Sequence, residues 1–100
     1  DFQDFLDCNP GAKIYMATTK APKTYTEVEY EPDCYIMFGP ESRGIPEELL
    51  IEDPERCVRI PMWGETRSLN LSNSVAIILY EALRQNGFPG LAGTGEMANI

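Results

Sequence analysis

The segment Cys34-Tyr35-Ile36-Met37-Phe38-Gly39-Pro40-Glu41-Ser42-Arg43-Gly44-Ile45-Pro46 decides the fold class. Its first five residues form a continuous apolar run between Asp33 and Gly39, the pattern of a central strand covered on both faces. Gly39 to Gly44 then reads as a tight loop, whose two glycines let backbone approach a ligand closely. Pro46 suits the first turn of a short helix that reaches Leu50. Strand, glycine-bearing loop and helix in succession are the unit of an α/β domain with a largely parallel sheet. Such sheets bind ligands outside the carboxyl ends of their strands.

Upstream of this segment, Asp1 to Cys8 fits a short helix ended by Asn9-Pro10-Gly11. Lys13 to Thr18 reads as a buried strand, and Thr19 to about Tyr25 as a polar loop broken by Pro22. Glu27-Val28-Glu29-Tyr30 alternates polar and apolar residues, which fits either a brief edge strand or loop. Downstream, Arg56 to Ile60 is a third strand, stopped by Pro61. Leu71, Val75, Ile78, Leu79 and Ala82 then recur at helical spacing. Ala76, Ile77, Tyr80 and Leu83 widen that stripe, so a helix buried on more than one side is expected. Asn70 or Ser72 would cap its start, and Gly87 with Pro89 would end it. Gly90 to Ile100 reads as a loose tail. The loops after Thr18, Phe38 and Ile60 leave strand carboxyl ends and form the candidate site.

Composition narrows the choices. One hundred residues suffice for one small domain, and 43% hydrophobic with 24% charged residues is ordinary for a globular protein. Low-complexity tracts and short repeats are absent from the sequence. The longest apolar run, Val75 to Leu79, is too short to cross a membrane, so no membrane partner is expected. No basic segment precedes an apolar one as in a signal peptide. The chain starts without Met, inside an amphipathic helix, and is read as cut at its N-terminus. Cys8, Cys34 and Cys57, with no histidine, make neither a zinc site nor a disulfide framework. Reduced, mostly buried thiols are expected, hence a cytoplasmic protein with no metal. The net charge of −8 argues against nucleic acid. However, the acids gather at Asp33, Glu47, Glu48, Glu52, Asp53 and Glu55, while Arg43, Arg59 and Arg67 fall within the Gly/Pro-rich segments.

Two segments carry candidate chemistry. The Gly39 to Gly44 loop has no Gly-Lys-Ser/Thr of a Walker loop and no dinucleotide Gly-x-Gly-x-x-Gly, and an ordinary strand–turn–helix joint has the same pattern. The second segment is Arg59-Ile60-Pro61-Met62-Trp63-Gly64-Glu65-Thr66-Arg67-Ser68-Leu69-Asn70-Leu71-Ser72-Asn73-Ser74. Its Ser68 and Asn70 either cap the following helix or present side chains to a ligand.

Taken together, these segments resemble the second and third signature motifs of the SPOUT methyltransferases, and most of all the small tRNA ribose methyltransferases that act on a wobble cytidine or uridine. The likeness runs through Phe38 to Pro46, Arg59 to Met62, Arg67 to Asn73, Tyr80-Glu81-Ala82 and Arg84 to Gly90, in order and at matching spacing. It covers nearly the whole chain and is far more specific than a lone glycine motif.

The resemblance implies an α/β, SPOUT-type trefoil-knotted fold with a mostly parallel sheet, residues 1–100 being one partial domain with 90–100 as its loose tail. It implies S-adenosyl-L-methionine as cofactor, S-adenosyl-L-homocysteine as product, and no metal. By position, backbone contacts to the cofactor fall on Ala17, Gly39, Ile60, Ser68 and Leu69. Family members often carry Leu in place of Ala17, a change that a backbone contact tolerates. Catalytic support falls on Glu41, Ser68 and Asn70, and RNA phosphate contacts on Arg43 and Arg67. The implied partners are the tRNA anticodon region and a second copy, docked through the C-terminal helix.

The family's first motif, an Asn-rich segment with a catalytic arginine, and the opening strands of its sheet have no counterpart here. The expectation is therefore a C-terminal portion, inactive alone. Two other readings stay open: a non-catalytic SPOUT module for cofactor binding or dimerisation, which the acidic charge favours, and a nucleotide-binding α/β module outside this family.

Overall fold

The computed structural model describes residues 2–39, 44–63 and 70–95. In chain order the elements are α1 (Phe2–Cys8), β1 (Ile14–Ala17), β2 (Lys23–Thr24), β3 (Tyr35–Phe38), α2 (Glu47–Leu50), a 3-10 turn (Pro54–Arg56), β4 (Cys57–Arg59) and α3 (Leu71–Gln85). The described strands form one sheet in the order β2-β4-β1-β3, and every pairing is parallel. A parallel sheet follows from connections that cross over between strands rather than turning back as hairpins.

Register fixes the geometry of the sheet. Ala17 lies opposite Phe38 on one side and opposite Val58 on the other, so β1, β3 and β4 end level with one another. The ladder continues one residue past β1, where the Thr18 amide donates to the Val58 carbonyl at 2.9 Å.

Side chains alternate across the sheet, as the period of two requires. Tyr15, Val58, Ile78 and Ala82 share one core with Tyr30, against which Ala17, Ile36, Phe38 and Ile60 pack. Met16, Cys57, Ala21, Ile45 and Leu50 form the second core, with Phe2, Ile14, Met37 and Leu49 at its border. Helix α3 thus covers one face, while α1 and α2 border the other. Val58 and Ile78 are fully buried where β4, flanked by β1 and β2, meets α3.

Several expectations change. Within the described sheet the Cys34 to Phe38 run, expected as a central strand, is β3 at one edge, and Tyr35 is 42% exposed. Apolar continuity reports cover on the two faces and says nothing of neighbours in the sheet plane. The polar loop from Thr19 to Tyr25 contains the short edge strand β2. Glu27 to Tyr30 is loop, because side chains take its backbone groups. Gln85 Oε1 accepts from the Tyr30 amide at 2.9 Å, Gln85 Nε2 donates to the Val28 carbonyl at 3.0 Å, and Asn86 Nδ2 donates to the Tyr30 carbonyl at 3.0 Å. Helix α3 buries one side, through Ile78 and Ala82, while Leu79 and Tyr80 stay 42% and 56% exposed. Of the cysteines, all free, only Cys57 is buried.

The ends of α3 match their sequence signals. Asn70 Oδ1 accepts from the Ser72 amide at 2.8 Å, so Asn70 is the cap. At the far end Gly87 adopts φ +80°, the Phe88 amide donates to the Leu83 carbonyl at 2.8 Å, and the Gly87 amide donates to Arg84 at 3.1 Å. These two bonds are the paired closure of a Schellman end, which needs the left-handed conformation that glycine adopts without strain. Among the described residues no helix is long and apolar enough to cross a membrane.

Candidate functional site

The site is built at the carboxyl edge of the sheet. β3 and β4, consecutive full strands of the chain, lie on opposite sides of β1, so their exits flank the β1 exit. Ligands of open α/β sheets settle at such a crevice. Ala17 is the last residue of β1, Gly39 directly follows β3, and Ile60 directly follows β4. Level strand ends and a spacing of about 4.8 Å between neighbours bring all three to one edge, within roughly 10 Å across the sheet. Of the cofactor contacts expected from the sequence, these three converge. Ser68 and Leu69 lie outside the described residues, as do Glu41, Arg43 and Arg67.

The loop between β3 and α2 folds tightly on itself. A Cβ placed on Gly39 would stand 2.2 Å from the Gly44 carbonyl carbon and 2.4 Å from both Gly44 Cα and the Ile45 nitrogen. No side chain fits there, so the chain runs back past its own start. Gly44 adopts φ +73°, and Ile45, 7% exposed, anchors the returning limb in the second core.

The loop after β1 is held from two directions. Arg59 Nη1 donates to the Thr19 carbonyl at 3.2 Å, which ties that loop to the end of β4. Lys20 pairs with Glu47 at the start of α2, and the ammonium holds the Glu47 carboxyl below its ordinary pKa. Thr18 Oγ1 accepts from the Lys20 amide at 3.1 Å and closes the turn. In the sequence Arg59 stands out only as an arginine within a Gly/Pro-rich segment. Its signal was position, the last residue of a strand beside a polar turn. Lys20 and Glu47 lie 27 residues apart, and nothing in the sequence pairs them.

The end of β4 runs on through Ile60, Pro61 and Met62 to Trp63, which is 93% exposed. Trp63 was not singled out in the sequence. Asn70, a predicted catalytic residue, has its Oδ1 engaged by the helix cap, which leaves its Nδ2 as the donor open to a ligand.

The chemistry open to this edge is that of backbone amides and carbonyls, hydroxyls and amide side chains. Burial pushes the Cys34 and Cys57 thiols up, away from the reactive thiolate. Among the described residues no group of histidine, cysteine or acidic side chains is arranged to hold a metal. The three strand exits suit a small molecule held mainly by main chain, the kind of contact the resemblance implies for S-adenosylmethionine.

Comparison with known proteins places the chain in a family. The tRNA (cytidine(34)-2'-O)-methyltransferase of Escherichia coli K12 is 43% identical over 91 residues, covering 90% of this chain and 58% of its own length. The chain thus spans less than two thirds of that relative. A solved structure described as giving insights into the 2-OH methylation of C/U34 on tRNA superposes with a TM-score of 0.79 at 40% identity, covering 86% of this chain and 56% of that one. An AdoMet-bound rRNA methyltransferase from Sinorhizobium meliloti superposes with a TM-score of 0.68 at 28% identity, covering 82% of this chain and 32% of that one. The SpoU rRNA Methylase family matches residues 1–80. With its level parallel strands, its glycine loop at the β3 exit and its capped final helix, the chain belongs to the SpoU rRNA Methylase family, on the SPOUT fold expected from its motifs.

Proposed function

We propose that this chain carries the cofactor-binding part of an S-adenosylmethionine-dependent methyltransferase that modifies the 2′-hydroxyl of the wobble ribose, cytidine or uridine, in cytoplasmic tRNA. The observation that carries the reading is the shared carboxyl edge of Ala17, Gly39 and Ile60. Relatives that act on nucleotide 34 of tRNA supply the substrate class.

When bound, S-adenosylmethionine supplies an electrophilic methyl group, and the protein supplies position and proton management. Backbone of Ala17, Gly39, Ile60, Ser68 and Leu69 holds the cofactor. Glu41, Ser68 and Asn70 orient the ribose, whose hydroxyl must give up its proton as it attacks. Asn70 suits this role because its Oδ1 is fixed by the Ser72 amide, which sets the direction of Nδ2. Arg43 and Arg67 contact RNA phosphates. A second copy docks on α3, where Leu79 and Tyr80 present apolar surface.

The test is transfer of a radiolabelled methyl group from S-adenosylmethionine to tRNA, followed by nuclease mapping of the modified nucleotide. The assay is run with the chain as it stands and with the longest reading frame that contains it. Label at the ribose of nucleotide 34 supports the reading. Binding of S-adenosylhomocysteine without transfer from either protein supports the non-catalytic module instead. Binding of nucleoside triphosphates in place of S-adenosylhomocysteine overturns both.

A further inference from the structure

We infer that Trp63 is a base-stacking platform for the RNA substrate, seated at the mouth of the cofactor edge. The inference rests on the proposed reading of that edge. Trp63 is the only tryptophan of the chain and is 93% exposed. An aromatic of this size offers roughly 200 Å² of surface for a partner to cover. Its place in the chain narrows what that is. It stands three residues beyond Ile60, so it lies within about 11 Å of the β4 exit. Pro61 fixes φ on the way, restricts Ile60 before it, and limits the swing of the segment. The ribose that receives a methyl group must touch the cofactor, so its base or a neighbouring base comes within this reach.

Given an RNA substrate, the charge of the described residues favours bases over phosphates as what Trp63 contacts. Every lysine and arginine among the described residues already has an internal partner. Lys13 pairs with Glu31, Lys20 with Glu47, Lys23 with Glu55, Arg56 with Asp53 and Arg84 with Glu81, while Arg59 binds the Thr19 carbonyl. With a net charge of −8 and the cations of the described residues engaged, these residues exert little long-range pull on phosphate. Contact with unstacked bases works without that pull, because each base offers a π face to an aromatic ring, and anticodon nucleotides are single-stranded.

The experiment exploits the lone tryptophan. Intrinsic fluorescence of the full chain is titrated with a synthetic anticodon stem-loop RNA, and separately with S-adenosylhomocysteine. Expected are quenching that saturates with the RNA in the wild type and, by calorimetry, an RNA affinity about tenfold weaker in Trp63→Ala and Trp63→Leu, near-native affinity in Trp63→Phe, and unchanged S-adenosylhomocysteine affinity in all three. Wild-type RNA affinity in the Ala and Leu variants overturns the inference and leaves the reading of the cofactor edge intact. So does blue-shifted, quencher-resistant emission before RNA is added, which marks Trp63 as covered by a second copy. Failure of the wild-type chain to bind the RNA, with S-adenosylhomocysteine bound, overturns the inference. Loss of both ligands overturns the reading of the edge as well.

Discussion

Gly39 and Gly44 approach so closely that a Cβ on Gly39 would stand 2.2 Å from the Gly44 carbonyl carbon. The contact is backbone on backbone, so no side-chain rotation relieves it. Gly39→Ala therefore has to open the loop. The expected cost is about 1 to 3 kcal/mol in urea-induced unfolding, the range for overpacking. S-adenosylhomocysteine affinity, measured by calorimetry, is expected to fall at least tenfold, and Gly39→Val to abolish it. The sequence had suggested glycine here so that a ligand could come near. In the structure the near object is the protein's own returning strand of loop, and an unchanged affinity in Gly39→Ala would separate that loop from the site.

Asn70 has a capping role and, on the proposed reading, a catalytic one in the same amide, and substitution can divide them. Its Oδ1 caps α3 through the Ser72 amide. Asn70→Asp keeps an acceptor there, suited also to the positive end of a helix, and removes the Nδ2 donor. Stability is expected to hold while kcat for ribose methylation drops about tenfold, the loss of one hydrogen bond in the transition state. Asn70→Ala loses both, with about 1 kcal/mol less stability in thermal unfolding. Equal kcat in Asp and wild type would reduce Asn70 to its cap.

Strand-forming runs, the α3 stripe and both of its end signals were legible because each is a local property of consecutive residues. Ala17, Gly39 and Ile60 were legible as neighbours because parallel strands put their exits on one edge. What escaped was set by partners far along the chain. The Cys34 to Phe38 run could not say that β3 is an edge of the described sheet, since position in the sheet plane depends on other strands. The alternation at Glu27 to Tyr30 could not foretell that Gln85 and Asn86 side chains occupy its backbone. Trp63 escaped because exposure is a property of the fold, and an aromatic in sequence reads as core.

Glu81 makes α3 sensitive to acid. Its carboxylate accepts from Arg84 Nε and Nη2, both at 2.9 Å, and from Gln85 Nε2 at 2.8 Å. These bonds, the Arg84 pair first, hold its pKa down at about 2, against an ordinary 4.5. A carboxyl depressed in the folded state adds stability that is complete above 4.5 and disappears as pH falls through about 2. Melting temperature is therefore expected to decline more steeply between pH 4.5 and 2 in the wild type than in Glu81→Gln. Parallel curves for the two proteins would show that this carboxylate gains nothing from its partners.

The same Glu81 bond positions Gln85, whose amide is the main tie between α3 and the loop over the first core. Gln85 accepts from the Tyr30 amide and donates to the Val28 carbonyl, so one side chain acts as a piece of neighbouring strand. Tyr30 itself is 4% exposed, its hydroxyl donates to the Tyr25 carbonyl at 2.6 Å, and its ring lies 4.9 Å from that of Tyr15. Gln85→Leu fills similar volume but leaves a part-buried amide and carbonyl without partners. Unpaired groups of this kind cost about 1 to 3 kcal/mol each, so Gln85→Leu is expected to lose roughly 2 kcal/mol or more in urea unfolding. Gln85→Glu retains the acceptor for Tyr30, loses the donor for Val28 and sets a second carboxylate beside Glu81. It should therefore lose stability at neutral pH and regain part of it in mild acid, where protonation restores a donor. Hydrogen exchange at the Tyr30 amide reports the same tie directly, and wild-type protection of that amide in Gln85→Leu would show that the loop is held without Gln85.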